Sequence, residues 1–322
     1  MSQTYSQLTL DQRSEIQSFS QSGYSIRSIA RKLNRDASTI SREIERNQND
    51  GEYRCVAAQE KADERRHADK KPFKINGELE RLIRQCIQDK FSPEQTAGFL
   101  SLNHGLQISH TYIYQYIYDD RSRGGELYKN LRRAGKKYKK RKGKEAGKSL
   151  IPNRTCISER PVLVDLKQHP GHWEGDTVIG VHHQGALVTL VERVSKYTLI
   201  GRVRQKTAEL VGDTIQRLMI DLVDWVWSTT FDNGMEFANH ETFAEALQMD
   251  VYFAHPYHSW ERGLNENTNG LIRQYFPKGT NFRLVSDGQV QRVQDALNNR
   301  PRKALGYRTP RQMLIEYGAI RA

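Results

Sequence analysis

A β-branched and aromatic run, Trp227 to Phe231 (WSTTF), breaks at Asn233-Gly234 and leaves Asp232 at its C-terminal end. That composition predicts a strand, and the Asn-Gly pair predicts a turn after it. Thirty-three residues separate Asp232 from Glu266. Glu266 lies in a stretch expected to be helical from about Glu261 to Tyr275, where Glu266, Asn269 and Arg273 share one face at i, i+3, i+7. Upstream, Trp173 to Ile179 is a second strand candidate, and period two sets His172, Glu174, Asp176 and Val178 on one side of it. Two strands and a helix that each carry a carboxylate call for an α/β sheet with helices against it. In open sheets of that kind, sites gather outside the strand ends.

Three carboxylates from such elements suit Mg²⁺ or Mn²⁺, which prefer oxygen ligands. Two ions ~4 Å apart could clamp the attacking and leaving oxygens of a phosphodiester displacement. The plainer alternative is that Asp232 forms a turn and the other acids are solvated.

The chain of 322 residues has room for two or three cores. No run approaches the ~20 apolar residues of a membrane span, and the start (MSQTYSQLTLDQR) lacks a signal-peptide pattern. Cys55, Cys86 and Cys156 are far apart, with no CxxC, which favours a reduced interior and no zinc site. The net charge is +12, and residues 131–150 (LRRAGKKYKKRKGKEAGKSL) hold ten Lys or Arg against one acid. Such a block attracts polyanions and also suits a solvated linker.

Leu8 to Asn47 is expected to form three helices, the first opened by a Thr9/Gln12 capping box and the others by Ser25 and Asp36. Asn34 takes the left-handed turn between the last two, and small Ala30 sits where they cross, a helix-turn-helix pattern. Ser38, Thr39, Ser41 and Arg42 at the start of the third helix suit phosphate and base-edge contacts, with Arg31, Lys32, Arg35 and Arg46 adding charge nearby. The plainer alternative is an ordinary helical bundle. A charged helix over Gln59 to Lys74 should end before Pro72. Asn76 to Tyr118 predicts a second helical unit, with Ser92-Pro93 and Ser109 as helix starts. Tyr112, Tyr114, Tyr116 and Tyr118 alternate as a strand would, but helix is preferred because the unit then repeats the first plan.

From about Arg160, strands are expected at Trp173 to Ile179, Ala186 to Val191, Tyr197 to Val203, up to Phe231, and Val251 to Ala254. Helices are expected from Thr207, from Glu241 to Leu247, around Val290 to Leu297, and after the Thr309/Gln312 box. This predicts a mixed sheet flanked by helices. His255 to Trp260 (HPYHSW) reads as a mobile loop beside the site, whose histidines either assist chemistry or, the preferred reading, simply sit in a polar loop. Arg300, Arg302 and Lys303 suit either DNA contact or a solvated loop.

DNG-x-EF followed some three dozen residues later by a Glu in a helix resembles the core of DDE transposases and retroviral-type integrases. GHWEGDT, WERGLNENTNGLIRQYFPKGT and LNNRPRKALGYRTP together resemble transposases of the insertion-sequence-thirty family, over the whole chain. The resemblance implies a multidomain protein: all-α helix-turn-helix units, then an α/β ribonuclease-H-like catalytic domain with a mixed sheet. The corresponding boundaries are 1–60 for the first helix-turn-helix domain, 75–120 for a second, 121–159 for a basic linker and 160–322 for the integrase-type core. It implies Asp176, Asp232 and Glu266 as the catalytic, metal-holding triad, with Mg²⁺ or Mn²⁺, two ions, as cofactor. Thr111 and Tyr112 would face DNA in the second unit. Arg262 and Arg273 fall on the Tyr-(2)-Arg-(3)-Glu-(6)-Lys/Arg pattern of many bacterial DDE enzymes, with Ser259 at its Tyr position. Arg262, Asn269 and Arg273 are then expected at DNA. The implied partners are double-stranded DNA, both element ends and target, and further copies of the chain on it. The implied place is the bacterial cytoplasm, at the nucleoid, with no membrane.

Overall fold

The computed structural model describes residues 7–49, 51–68, 75, 77–133, 151–256 and 258–321. The chain divides into two compact units, Met1–Lys74 and Ile75–Ala322.

The first unit holds α1 (Leu10–Gln21), α2 (Ile26–Lys32), α3 (Ala37–Asn47) and α4 (Cys55–Ala68). The expected starts are present: Thr9 and Gln12 form a capping box, and the Ser25 and Asp36 side chains accept from Ser28 and Ser38 N–H. Asn34 has φ 49°, as the turn between α2 and α3 requires. Ile16, Ile29, Ala30, Ile40 and Ala58 are buried together. A buried ion pair at 2.7 Å, Arg13 to Glu43, ties α1 to α3. The end of the charged helix and the hinge expected beyond it fall at residues 69–74, outside those described.

The second unit opens with α5 (Gly77–Gln88), α6 (Pro93–His104) and α7 (His110–Ser122). The tyrosine run is helical: Tyr116 is buried beside Ile113 and Ile117, while Tyr114 and Tyr118 are exposed and stack on each other. A strand would have put all four tyrosines on one side; the helix splits them between core and solvent. A 3-10 turn, Leu127–Asn130, follows α7. Most of the basic block, residues 134–150, lies outside the described residues.

After α8 (Val162–Leu166) come β1 (His172–Ile179), β2 (Ala186–Glu192), β3 (Thr198–Val203), α9 (Ala208–Met219), β4 (Ser228–Phe231), α10 (His240–Leu247) and β5 (Asp250–Phe253). The sheet order is β3-β2-β1-β4-β5. β2 pairs antiparallel with both β1 and β3, β4 pairs parallel with β1, and β5 pairs parallel with β4, the ribonuclease-H-like arrangement. Three helices follow: α11 (Gly263–Ile272), α12 (Asp287–Asn298) and α13 (Pro310–Glu316). Each strand falls within a residue or two of expectation.

The sheet separates two cores. Trp173, Leu190 and Phe231 pack with Val211, Ile215 and Met219 of α9 and Phe243 of α10. On the other face Val178, Leu187 and Ile200 meet Leu271 and Ile272 of α11 and Leu297 of α12. Each fully buried large apolar side chain contributes roughly 1.5–3 kcal/mol, against about 1 kcal/mol for a helix cap. Packing therefore outweighs the Thr207 cap in holding α9 to the sheet. Gly201 allows the close approach, since a Cβ there would lie 2.3 Å from Thr214 Cγ2.

The helices α5 to α7 and the C-terminal segment belong to one unit. Gly98 of α6 lies under the Tyr307 ring, Lys303 pairs with Glu94 at 2.6 Å, and Arg300 donates to Gln95 at 2.8 Å. Arg300 is buried and also donates to Gln274, and Arg302 donates to the Leu297 carbonyl. These two arginines therefore hold the fold together; burial pushes both guanidinium groups down to about 10. No helix among the described residues is long and apolar enough to cross a membrane.

Candidate active site

Asp176 sits on β1 opposite Thr189 of β2. Its Oδ1 accepts from the Thr177 N–H and its Oδ2 from Asn269 Nδ2, both at 2.8 Å. The Thr189 hydroxyl lies 3.2 Å from both the Asp176 carbonyl and Asn269 Oδ1. Asn269 thus locks α11 onto β1 and β2. The expected helix from Glu261 is broken in two: a 3-10 turn over Ser259–Arg262, then α11 from Gly263 to Ile272. Glu266 and Asn269 keep one face. Arg273 is the C-cap residue, and its Nη2 donates to the Ile179 carbonyl at 2.8 Å.

Asp232 follows β4, and its Oδ1 accepts from the Gly234 N–H at 3.1 Å. It therefore does form the turn, and its second oxygen remains for other work. That oxygen is 3.3 Å from Arg262 Nη2, while Arg262 Nη1 is 3.8 Å from Asp176 Oδ1. Arg262 also donates to the Gly175 carbonyl at 3.0 Å. A guanidinium thus bridges two of the three carboxylates. Asp176 and Glu266 line one open cavity of about 790 Å³, with Arg132, Arg262, Arg273 and Lys278. Asp232 reaches this group through Arg262.

Burial pushes the Asp176 carboxyl up to about 6; Arg262 opposes the rise and Asp232 and Glu236 add to it. Glu236 is pushed upward by its own burial, yet its hydrogen bond with Lys206, 2.9 Å away, holds it below the usual carboxylate range. Asp176, Asp232 and Glu266 would each offer a carboxylate oxygen, the donor type that a hard divalent cation takes. Among the described residues, the only trio of His, Cys, Asp or Glu with ligand atoms all within 4.8 Å is His255, His258 and Glu261. The three carboxylates stand wider apart, with Arg262 between two of them.

Glu174 shares the strand face of Asp176 but is fully engaged. It is buried, pairs with Arg193 at 3.4 Å and accepts from the Asn265 N–H at 3.1 Å. Arg132, Asn267 and Lys278 at the cavity were not singled out from sequence. Arg132 donates to Asn267 Oδ1 at 2.9 Å. Its only sequence signal is membership of the basic block.

In the first unit, Ser38 and Arg42 are exposed and Thr39 and Ser41 half-buried at the start of α3. Hydrogen bonds from Ser38 hold Asp36 below its ordinary value. In the second unit Thr111 is exposed, whereas Tyr112 is half-buried against the helical core.

A family model described as a helix-turn-helix domain matches residues 4–47. The chain is 42% identical to the transposase for insertion sequence element IS4351 of Bacteroides fragilis, over 95% of this chain and 94% of that one. It is 39% identical to transposase InsI for insertion sequence element IS30A of Escherichia coli (strain K12), over 97% and 84% of the two chains. Identity to the transposase for insertion sequence element IS1086 of Cupriavidus metallidurans is 35%, over 97% and 95%. Among solved structures, the catalytic core domain of BIV integrase is similar with a TM-score of 0.37 and 20% identity, covering 46% of this chain and 96% of that one.

Proposed function

As the chain belongs to the insertion-sequence-thirty family of transposases, we propose that it binds the terminal inverted repeats of an insertion sequence, cleaves DNA there, and joins the freed 3′ ends to target DNA. The observation that carries this reading is the convergence beside the adjacent inner strands β1 and β4: Asp176 and Glu266 share a cavity, and Arg262 links Asp176 to Asp232. Asp176, Asp232 and Glu266 would hold Mg²⁺ or Mn²⁺, two ions by the usual chemistry of such sites. When bound, the ions would activate the attacking oxygen and stabilise the leaving one.

The chain's own groups supply the rest. Asn269 and the Thr177 N–H fix both oxygens of Asp176, so the carboxylate is oriented before DNA arrives. Arg132, Arg273 and Lys278 give the cavity positive charge for phosphates of the strand being cut. Ser38, Thr39, Ser41 and Arg42 on α3 would enter the major groove of the repeat, as a recognition helix does. Thr111 and Tyr112 are proposed as further contacts. Synapsis of two element ends would need more than one copy of the chain on DNA.

The test uses labelled element ends and a target plasmid in Mg²⁺. Asp176→Asn, Asp232→Asn and Glu266→Gln keep side-chain shape and each remove one charge. Each variant should bind ends with near-normal affinity and neither cleave nor join. Comparable cleavage by one variant and wild type removes that residue from the triad. Cleavage without joining by the wild type would mean a nuclease, and end binding with neither would mean a regulator.

A further inference from the structure

The loop between β5 and α11 places three metal-ligating groups together, apart from the carboxylates above. His258 N–H donates to the His255 carbonyl at 3.2 Å, and Glu261 N–H to the His258 carbonyl at 3.1 Å. Repeated i, i+3 bonds bring side chains three apart into line. His255 Nδ1 and His258 Nδ1 accordingly meet the same atom, Glu261 Oε1, at 2.8 and 3.1 Å. All three ligand atoms lie within 4.8 Å of one another.

We propose that His255, His258 and Glu261 bind a divalent transition metal, Zn²⁺ in type, distinct from the oxygen-ligated ions. Two imidazoles and one carboxylate form a donor set that zinc favours and magnesium does not. Ligands about 2.1 Å from a tetrahedral ion stand about 3.4 Å apart. The two contacts to Glu261 would therefore open by about 0.6 and 0.3 Å. Its surroundings resemble those of a metal-holding histidine, whose second nitrogen is normally hydrogen-bonded. His255 Nε2 lies 2.9 Å from Ser158 Oγ and 3.4 Å from Cys156 Sγ, and Trp260 stacks on His258 at 4.2 Å. Coordination through both Nδ1 atoms would place each imidazole N–H on Nε2, where Ser158 Oγ, 2.9 Å away, can accept from His255. The fourth position is left to water. Arg262 follows Glu261 directly, so the ion would pin the turn that presents Arg262 to Asp176 and Asp232.

The test is titration of the metal-stripped full chain with Co²⁺ and Zn²⁺ in excess Mg²⁺. One Co²⁺ per chain should give visible absorption that Zn²⁺ abolishes. His258→Gln and Glu261→Gln should remove it, and Ser158→Ala should weaken affinity roughly tenfold. The double variant Asp176→Asn, Glu266→Gln should retain it, which separates this site from the proposed catalytic ions. His258→Cys should restore binding with a new sulfur-to-cobalt band, a result that a misfolded chain cannot give. A spectrum unchanged in His258→Gln, or lost in the Asp176→Asn, Glu266→Gln chain, would overturn the assignment.

Discussion

Arg262→Ala should destabilise the second unit when divalent ions are chelated, and Mg²⁺ should reverse much of the loss. The guanidinium is 11% exposed and stands between Asp176, 21% exposed, and Asp232, 41% exposed. A unit charge pair ~4 Å apart at an effective dielectric of about 20 is worth about 4 kcal/mol before desolvation costs. The Asp232 contact must be discounted towards the ≲1 kcal/mol of an exposed pair. The bond to the Gly175 carbonyl is charge-assisted, worth about 1.5–3 kcal/mol. Once the desolvation and ordering of Arg262 are set against these gains, roughly 2–3 kcal/mol of net loss remains. At about 2–4 °C per kcal/mol for a domain of this size, the melting temperature should fall by about 4–12 °C in EDTA. If divalent ions occupy the same carboxylates, they supply the charge that the variant lacks. The deficit should then shrink by half or more in Mg²⁺. Arg262→Lys keeps the charge without the fork and should fall between. Melting curves of the three chains with EDTA and with Mg²⁺ decide the matter. Equal melting of Arg262→Ala and wild type in EDTA would refute the bridging role, and a deficit untouched by Mg²⁺ would refute the shared-carboxylate argument.

Arg42→Ala should cost ~1–3 kcal/mol in end binding if the side chain reads a base; an unchanged footprint on the element ends rules that out. Changing the Lys and Arg of residues 131–150 to Gln should flatten the salt dependence of duplex binding by about 0.9 in log–log slope per lost phosphate contact, and equal slopes would reduce the block to a linker. Gly175→Ala should lower stability by about 1–3 kcal/mol through overpacking. A Cβ there would lie 2.1 Å from Phe231 Cε1, so chemical denaturation with no shift in midpoint would contradict the packing described.

Local devices were the most legible parts of the sequence. The capping boxes at Thr9, Ser92 and Thr309 are all present because their chemistry spans only three residues. A fourth, Ser286 with Gln289, has the same three-residue spacing. Strand positions followed from β-branched runs bounded by turns. Long-range burial was not legible. Arg300 and Arg302 look in sequence like a basic surface run, yet Arg300 finds Gln95 and Gln274, far away in the chain. The helix expected from Glu261 fails at its first turn for a similar reason. Glu261 is drawn back to His255 and His258, and Arg262 is drawn to Gly175, Asp176 and Asp232. With both side chains committed off the helix axis, the α-helix begins only at Gly263.

Period two put Glu174 and Asp176 on one face, but spacing alone could not divide their roles. Packing does. Glu174 is 2% exposed and spends its oxygens on Arg193 and on the Asn265 N–H in the first turn of α11. A carboxylate at that end satisfies an unpaired backbone donor and meets the positive end of the helix dipole. It therefore fixes where α11 begins, and Glu266 is the next residue after Asn265. Asp176 has no such backbone duty towards the helix; Asn269, one turn further along α11, holds it at 2.8 Å. The same strand thus secures the helix at two levels, and between them α11 carries Glu266 to the cavity that Asp176 lines. This pairing gives the spacing of GHWEGDT a structural reason: one acid sets the helix in place, and the next acid on that face lines the cavity to which the helix brings Glu266.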